Sequence, residues 1–209
     1  MNARLVDELA RRTCWVFDMD GTLTHAVHDF DDIRRRLDLP EGMPILEAIE
    51  ALPAGRAREA ERALYDIELD LARAATAQRG ARDFVESLRE SGRRVGIVTR
   101  NSEALAHVTL AACGLDDLFD RRFVVGRERC APKPDPAGVL MLMSAWDAAP
   151  ERTVMVGDYL FDLQAGRAAG AMTVLVRGSG GDRWPEHSDA EFDDFEDLAL
   201  RIRGRVASA

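Results

Sequence analysis

The apolar positions of the chain fall into short continuous runs separated by longer amphipathic stretches. Cys14-Trp15-Val16-Phe17 is uninterrupted and stops abruptly at Asp18-Met19-Asp20-Gly21-Thr22; residues 94–99, 122–126, 153–157 and 172–177 read the same way. A brief apolar run bounded by polar residues predicts a strand buried on both faces, the kind found in parallel sheets. Between these runs apolar residues recur at helical spacing, which predicts helices over 2–12, 81–91, 102–113, 136–146, 161–169 and 195–203. The Gly-rich stretch 178–189 is expected to be a loop. Strands alternating with helices of this length predict an α/β fold with a doubly wound parallel sheet.

One region breaks the alternation. From residue 26 to 78 there is no strand signal, only helical patterning over 29–39, 45–52 and 54–78, punctuated by Pro40, Gly42 and Pro44. The alternating pattern resumes at Gly80. The expected organisation is therefore an α/β core made of residues 1–25 and 79–209, with a helical insert over 26–78 placed after the first strand.

Composition narrows the possible functions. The 209 residues carry a net charge of −9, which argues against a general nucleic-acid surface, because phosphate backbones are bound by basic faces. There is no apolar run of spanning length and no charged-then-apolar leader, so a cytoplasmic protein with no membrane partner is expected. The three cysteines, Cys14, Cys113 and Cys130, lack CxxC spacing and suggest neither a disulfide framework nor a zinc site. Of the 28 basic residues, Lys133 alone is lysine and the rest are arginine. A single lysine in such a sequence points to a place that needs a compact ammonium.

In an open parallel sheet, ligands bind beyond the carboxyl ends of the strands. The residues expected there are Asp18 and Asp20 after the first strand, Thr99 after the second, Lys133 in the Pro132-Lys133-Pro134 loop, and Gly157-Asp158 through Asp162 after the fourth. Two carboxylates two apart on extended backbone project to the same side, and Gly21 lets the chain turn away behind them. Each feature alone has an ordinary explanation: a solvated strand end, a β-branched strand residue, a surface lysine, an acid in a helix's first turn. Their order and placement argue otherwise.

The four motifs Asp18-Met19-Asp20-Gly21-Thr22, Thr99, Lys133 and Gly157-Asp158 to Asp162 together resemble the haloacid dehalogenase (HAD) superfamily, across nearly the whole chain. That resemblance implies a Rossmann-like core and phosphoryl chemistry. Asp18 would be the nucleophile that forms an aspartyl-phosphate, and Asp20 the general acid and base. Asp18, the main-chain carbonyl of Asp20, Asp158 and Asp162 would hold Mg²⁺, while Thr99 and Lys133 would bind phosphoryl oxygens. Arg100 and Asn101 are further candidates for phosphate binding. Physical chemistry supports these roles, since a covalent intermediate splits one difficult step into two, and a hard cation offsets the repulsion between carboxylate and phosphate. Tyr159 departs from the small hydroxyl residue of many relatives and leaves open which group hydrogen-bonds Asp158.

The helical insert resembles the small α-helical cap of this superfamily. The function implied is that of a phosphoglycolate-phosphatase-like enzyme, a Mg²⁺-dependent phosphomonoesterase acting on a small metabolite of the phosphoglycolate or sugar phosphate type. The alternatives are a phosphomutase of the β-phosphoglucomutase type and a non-catalytic module that binds a phosphorylated ligand. Arg34, Arg35, Arg36, Arg56, Arg58 and Arg62 are the insert's candidate anion ligands, but the interspersed acids favour a solvated face. His25 and His28 are expected at the hinge facing water, and Cys130 as a small buried or loop residue.

Overall fold

The computed structural model describes residues 3–25, 29–178 and 182–206. Strands β1 (Cys14–Phe17), β2 (Arg94–Val98), β3 (Val124–Val125), β4 (Thr153–Gly157), β5 (Met172–Val176) and β6 (Ala190–Phe192) form one sheet in the order β3-β2-β1-β4-β5-β6. Every pairing is parallel. The helices are α1 (Ala3–Ala10), α2 (Phe30–Leu37), α3 (Ile45–Glu50), α4 (Ala54–Ala74), α5 (Ala81–Glu90), α6 (Glu103–Ala112), α7 (Ala137–Ala145), α8 (Leu160–Ala168) and α9 (Phe195–Val206). This is the doubly wound α/β arrangement, and its strand order reverses direction between β1 and β4.

Both faces of the sheet are buried. Trp15 and Phe17 pack on one side with Phe84, Phe119 and Phe195, and Phe17 lies 6.1–6.4 Å from the rings of the other four. On the opposite side Cys14 and Val16 meet Leu142, Met143 and Trp146 from α7 and its end. β1 is central, with Phe17 level with Ile97 of β2 and Val156 of β4. The residues that follow these three strands therefore emerge side by side.

Helices α2, α3 and α4 build a separate apolar cluster from Ile33, Leu37, Ile49, Leu64 and Ile67. The chain leaves the sheet and returns to it along paired backbone: Thr24 bridges Ala77, His25 N–H donates to Thr76 O at 3.0 Å and Gln78 N–H to Leu23 O at 2.8 Å. This pairing ends α4 at Ala74, short of the expected Gln78, because the extended return beside residues 23–25 overrides helical propensity.

Two other elements differ from expectation. Residues 122–126 contribute only Val124–Val125 as strand, preceded by a 3₁₀ turn over Arg121–Phe123. Three residues just past the expected 178–189 loop form β6 on the sheet edge. That strand is too short, and its flanks too acidic, to give an alternation signal. His28 and the start of the predicted insert, residues 26–27, lie outside the described residues.

Candidate active site

Asp18 continues β1 by one residue, its N–H donating to Val156 O at 2.8 Å, and is buried at the point where the strand order reverses. The chain then turns sharply at Gly21, whose φ of 95° lies in the left-handed region. A Cβ at that position would stand 2.3 Å from Asp158 Oδ2, so glycine also lets Asp158 approach the β1 loop. Thr22 Oγ1 donates to Asp158 Oδ1 at 2.8 Å. The hydroxyl that orients Asp158 thus comes from the first motif, while the Tyr159 ring packs against Phe161 and Trp184.

Lys133 is buried and its ammonium contacts two carboxylates, Asp18 Oδ1 and Asp162 Oδ1, the latter at 2.7 Å. Asp162 is fixed from its other oxygen, which accepts the Tyr159 N–H at 3.0 Å across the start of α8. Gly157 makes room for it, since a Cβ there would lie 2.2 Å from Asp162 Cβ. One ligand oxygen each from Asp18, Asp158 and Asp162 lies within 4.8 Å of the others.

Burial dominates the electrostatics of this cluster. It raises the carboxyls of Asp18, of Asp162 to about 6 and of Asp158 to about 8; the neighbouring carboxylates add to the rise, and Lys133 opposes it. Burial also raises Asp20 to about 6, opposed by Lys133 and by a hydrogen bond from the Asn101 side chain. For Lys133 the nearby Asp162 and Asp18 outweigh desolvation and hold the ammonium charged.

The other expected phosphate ligands fall in different environments. Thr99 is buried at the end of β2, where its Oγ1 accepts the Asn101 N–H at 3.0 Å. Asn101 Oδ1 accepts the Ser102 N–H at 2.8 Å. Arg100 turns toward the helical cover. It makes a bidentate pair with Glu47 of α3, both contacts at 2.8 Å, hydrogen-bonds Lys133 O, and lies 5.3 Å from the Phe161 ring centre.

Helices α2–α4 close over the carboxyl edge of the sheet and leave a cavity of about 580 Å³. Its floor carries Asp18, Asp20, Thr99, Asn101, Lys133, Asp158 and Asp162. A second bidentate pair joins cover to core within it: Arg127, after β3, bonds the buried Glu68 of α4 at 2.9 and 3.0 Å. Sequence reasoning missed Glu47, Glu68 and Arg127, whose partners lie 53 and 59 residues away. It also missed the role of Thr22, although that residue stood inside the first motif.

Three arginines of the cover bear out their solvated reading, and Arg34 does not. Arg35, Arg36 and Arg56 face Asp32 and Asp38 on exposed surface. Arg34 lines the cavity while bonded to Asp31 at 2.7 Å and to Met43 O at 3.1 Å. His25 is exposed and Cys130 half-buried, and the three cysteines are free thiols.

Comparison with known proteins accounts for this arrangement. The family model described as haloacid dehalogenase-like hydrolase matches residues 13–170, a span holding every residue of the cavity floor. The chain belongs to the haloacid dehalogenase-like hydrolases. A haloacid dehalogenase-like hydrolase domain-containing protein of Arabidopsis thaliana is 32% identical over 183 residues, covering 79% of this chain and 71% of the relative. A phosphoglycolate phosphatase of Rhodospirillum rubrum is 30% identical over 215 residues, covering 88% of each. Among solved structures, a hydrolase from Pseudomonas syringae superposes with a TM-score of 0.76 at 20% identity, covering 92% of this chain and 99% of that one. The protein is a hydrolase of the phosphatase type.

The residues of this hydrolase fit a divalent cation. Four carboxylates, Asp18, Asp20, Asp158 and Asp162, share a buried floor with Lys133 as the one ammonium, and three of them can direct oxygens at one point. An all-oxygen donor set with unmet negative charge suits a hard ion. Among the described residues no helix is long and apolar enough to cross a membrane.

Proposed function

We propose that the protein is a Mg²⁺-dependent phosphomonoesterase of a small phosphorylated metabolite, working through an aspartyl-phosphate on Asp18. The observation that carries this reading is the placement of Asp18: buried beneath the cavity, in contact with Lys133 and within one ligand cluster with Asp158 and Asp162. In this reading residues 1–25 and 79–209 act as the catalytic core and 26–78 as a cap over it.

Asp18 Oδ attacks phosphorus, and the bond to the ester oxygen breaks on the opposite side. Asp20 gives its proton to that oxygen, so the product leaves as a neutral alcohol. Its carboxyl, raised to about 6, retains a protonated fraction near neutral pH for this task. Asp20 then takes a proton from water, the water oxygen attacks phosphorus, and the bond to Asp18 breaks to release inorganic phosphate. Lys133 and Thr99 bind phosphoryl oxygens, both placed before the reaction begins. Mg²⁺, held by Asp18, the Asp20 carbonyl, Asp158 and Asp162, would supply charge neutralisation between nucleophile and phosphate. The cap excludes bulk water from the intermediate.

The test is phosphate release from a panel of phosphomonoesters with Mg²⁺, comparing wild type with Asp18→Asn. Release that is lost in the variant supports the reading. Transfer of phosphate between two hydroxyls without release would assign a mutase, and absence of both from folded protein would overturn the enzyme mechanism.

A further inference from the structure

The cavity's walls and its charge pairing say more about the alcohol half of the ester, and this inference rests on the phosphatase reading above. We infer that the preferred substrate is a phosphomonoester whose alcohol half is uncharged and carries a flat apolar face, and that short phospho-acids bearing a second anion are disfavoured.

The first observation is the state of the cations. Among the described residues, the positively charged side chains lining the cavity are Arg34, Arg100, Arg127 and Lys133. Each is already matched. Arg100 and Arg127 make bidentate pairs with Glu47 and Glu68, Arg34 bonds Asp31, and Lys133 sits between Asp18 and Asp162. A substrate carboxylate would have to displace a glutamate that already meets its arginine through both carboxylate oxygens, and the Arg127–Glu68 pair is largely shielded from water. It would also enter a cavity whose floor already carries four acids and whose side holds Glu68.

The second observation is the lining away from the floor. Ile33, Ile45, Leu46 and Leu64 face inward from the cover, and Phe161 and Tyr159 rise from the start of α8. The two aromatic rings are 5.1 Å apart and nearly perpendicular at 88°, and Trp184 backs Tyr159 at 5.3 Å. This aromatic corner adds two rings to the apolar wall of the cavity, a surface against which a flat group can pack. Phosphate with a two-carbon acid would leave much of the roughly 580 Å³ unfilled, whereas an apolar ring would cover the wall and remove it from water.

Benzyl phosphate and phosphoglycolate form a matched pair for testing this. Both are esters of a CH₂–O–P group, and they differ in carrying a phenyl ring or a carboxylate. The measurement is kcat/KM for phosphate release from each with Mg²⁺, in wild type and in Glu68→Gln. Wild type should favour benzyl phosphate by about tenfold or more, since the anion finds no free partner. Glu68→Gln removes the counter-charge of Arg127 while keeping its shape, and should narrow the ratio by raising relative use of phosphoglycolate; Glu47→Gln does the same for Arg100 and serves if the first variant fails to fold. A ratio changes only if the pairing sets selectivity, because an altered Asp20 would affect both esters alike.

Equal or better use of phosphoglycolate by wild type would overturn this inference and leave the phosphatase reading intact. A ratio unmoved by freeing either arginine would overturn the role given to the pairs. Turnover of neither ester would also overturn the inference, and Asp18-dependent release from the wider panel would then show whether the phosphatase reading survives.

Discussion

Lys133 Nζ lies 2.7 Å from Asp162 Oδ1 and also contacts Asp18, so one buried ammonium ties the carboxylate that follows β1, the proposed nucleophile, to the first turn of α8. Removing a partner from a buried ion pair costs about 3–5 kcal/mol, because the other charge is left uncompensated. Lys133→Met should therefore lower both stability and activity, the latter by at least about 100-fold through the lost phosphoryl contact. Thermal unfolding together with phosphate release checks this. Activity near the wild-type level would remove Lys133 from the mechanism.

Thr22 Oγ1 donates to Asp158 Oδ1 at 2.8 Å and has no contact with the phosphoryl position in the proposed mechanism. Loss of a hydrogen bond behind a metal ligand commonly lowers metal affinity by about 10–100-fold. Thr22→Val keeps the shape and should weaken Mg²⁺ activation by about that factor, with activity returning at high Mg²⁺. Activity titrated against Mg²⁺ concentration is the measurement.

The buried acids set a pH dependence whose sign is fixed. In the metal-free protein Asp20 and Asp162 are raised to about 6 and Asp158 to about 8, and Asp18 is raised as well. The folded protein therefore holds protons that the unfolded chain has already released. Its stability is highest below the unfolded carboxyl value of 3.8 as far as these groups are concerned, and it is lost as pH rises through about 8. Lys133 is raised too, but it stays charged in both states across this range and does not contribute to the slope. Thermal shift measurements should show Mg²⁺ stabilising the protein more at pH 8 than at pH 6, because cation binding requires the ionised carboxylates.

Arg100 bonds Glu47 in the cover and the Lys133 carbonyl in the core, which joins the two layers beside the buried lysine. Arg100→Ala should loosen closure over the bound ester, raising KM and lowering kcat together by about tenfold. A change confined to stability, with both constants unmoved, would assign the pair a purely structural part.

Much of this site could be read from the chain because its key groups sit at the ends of strands, where an apolar run stops and chemistry begins. Asp18, Thr99 and Asp158 directly follow the adjacent strands β1, β2 and β4, so a local pattern was enough to bring them together. Lys133 stood out by composition alone. Glu68 and Glu47 could not be found this way, since on helical faces dense in alternating charge nothing local distinguishes an acid that meets an arginine of the core from one that meets water. β6 escaped for a related reason: three residues at a sheet edge take their conformation from β5 and not from their own pattern.

The most direct test of the covalent mechanism is the mass of the Asp18 peptide in Asp20→Asn protein quenched during turnover of 4-nitrophenyl phosphate with Mg²⁺. This leaving group departs without a proton, so Asp18 should be phosphorylated, while the missing base stalls hydrolysis. The account predicts a peptide containing Asp18 that is heavier by one phosphoryl group, absent from Asp18→Asn. Steady phosphate release with no phosphoryl on Asp18, or a phosphoryl on another residue, would contradict it.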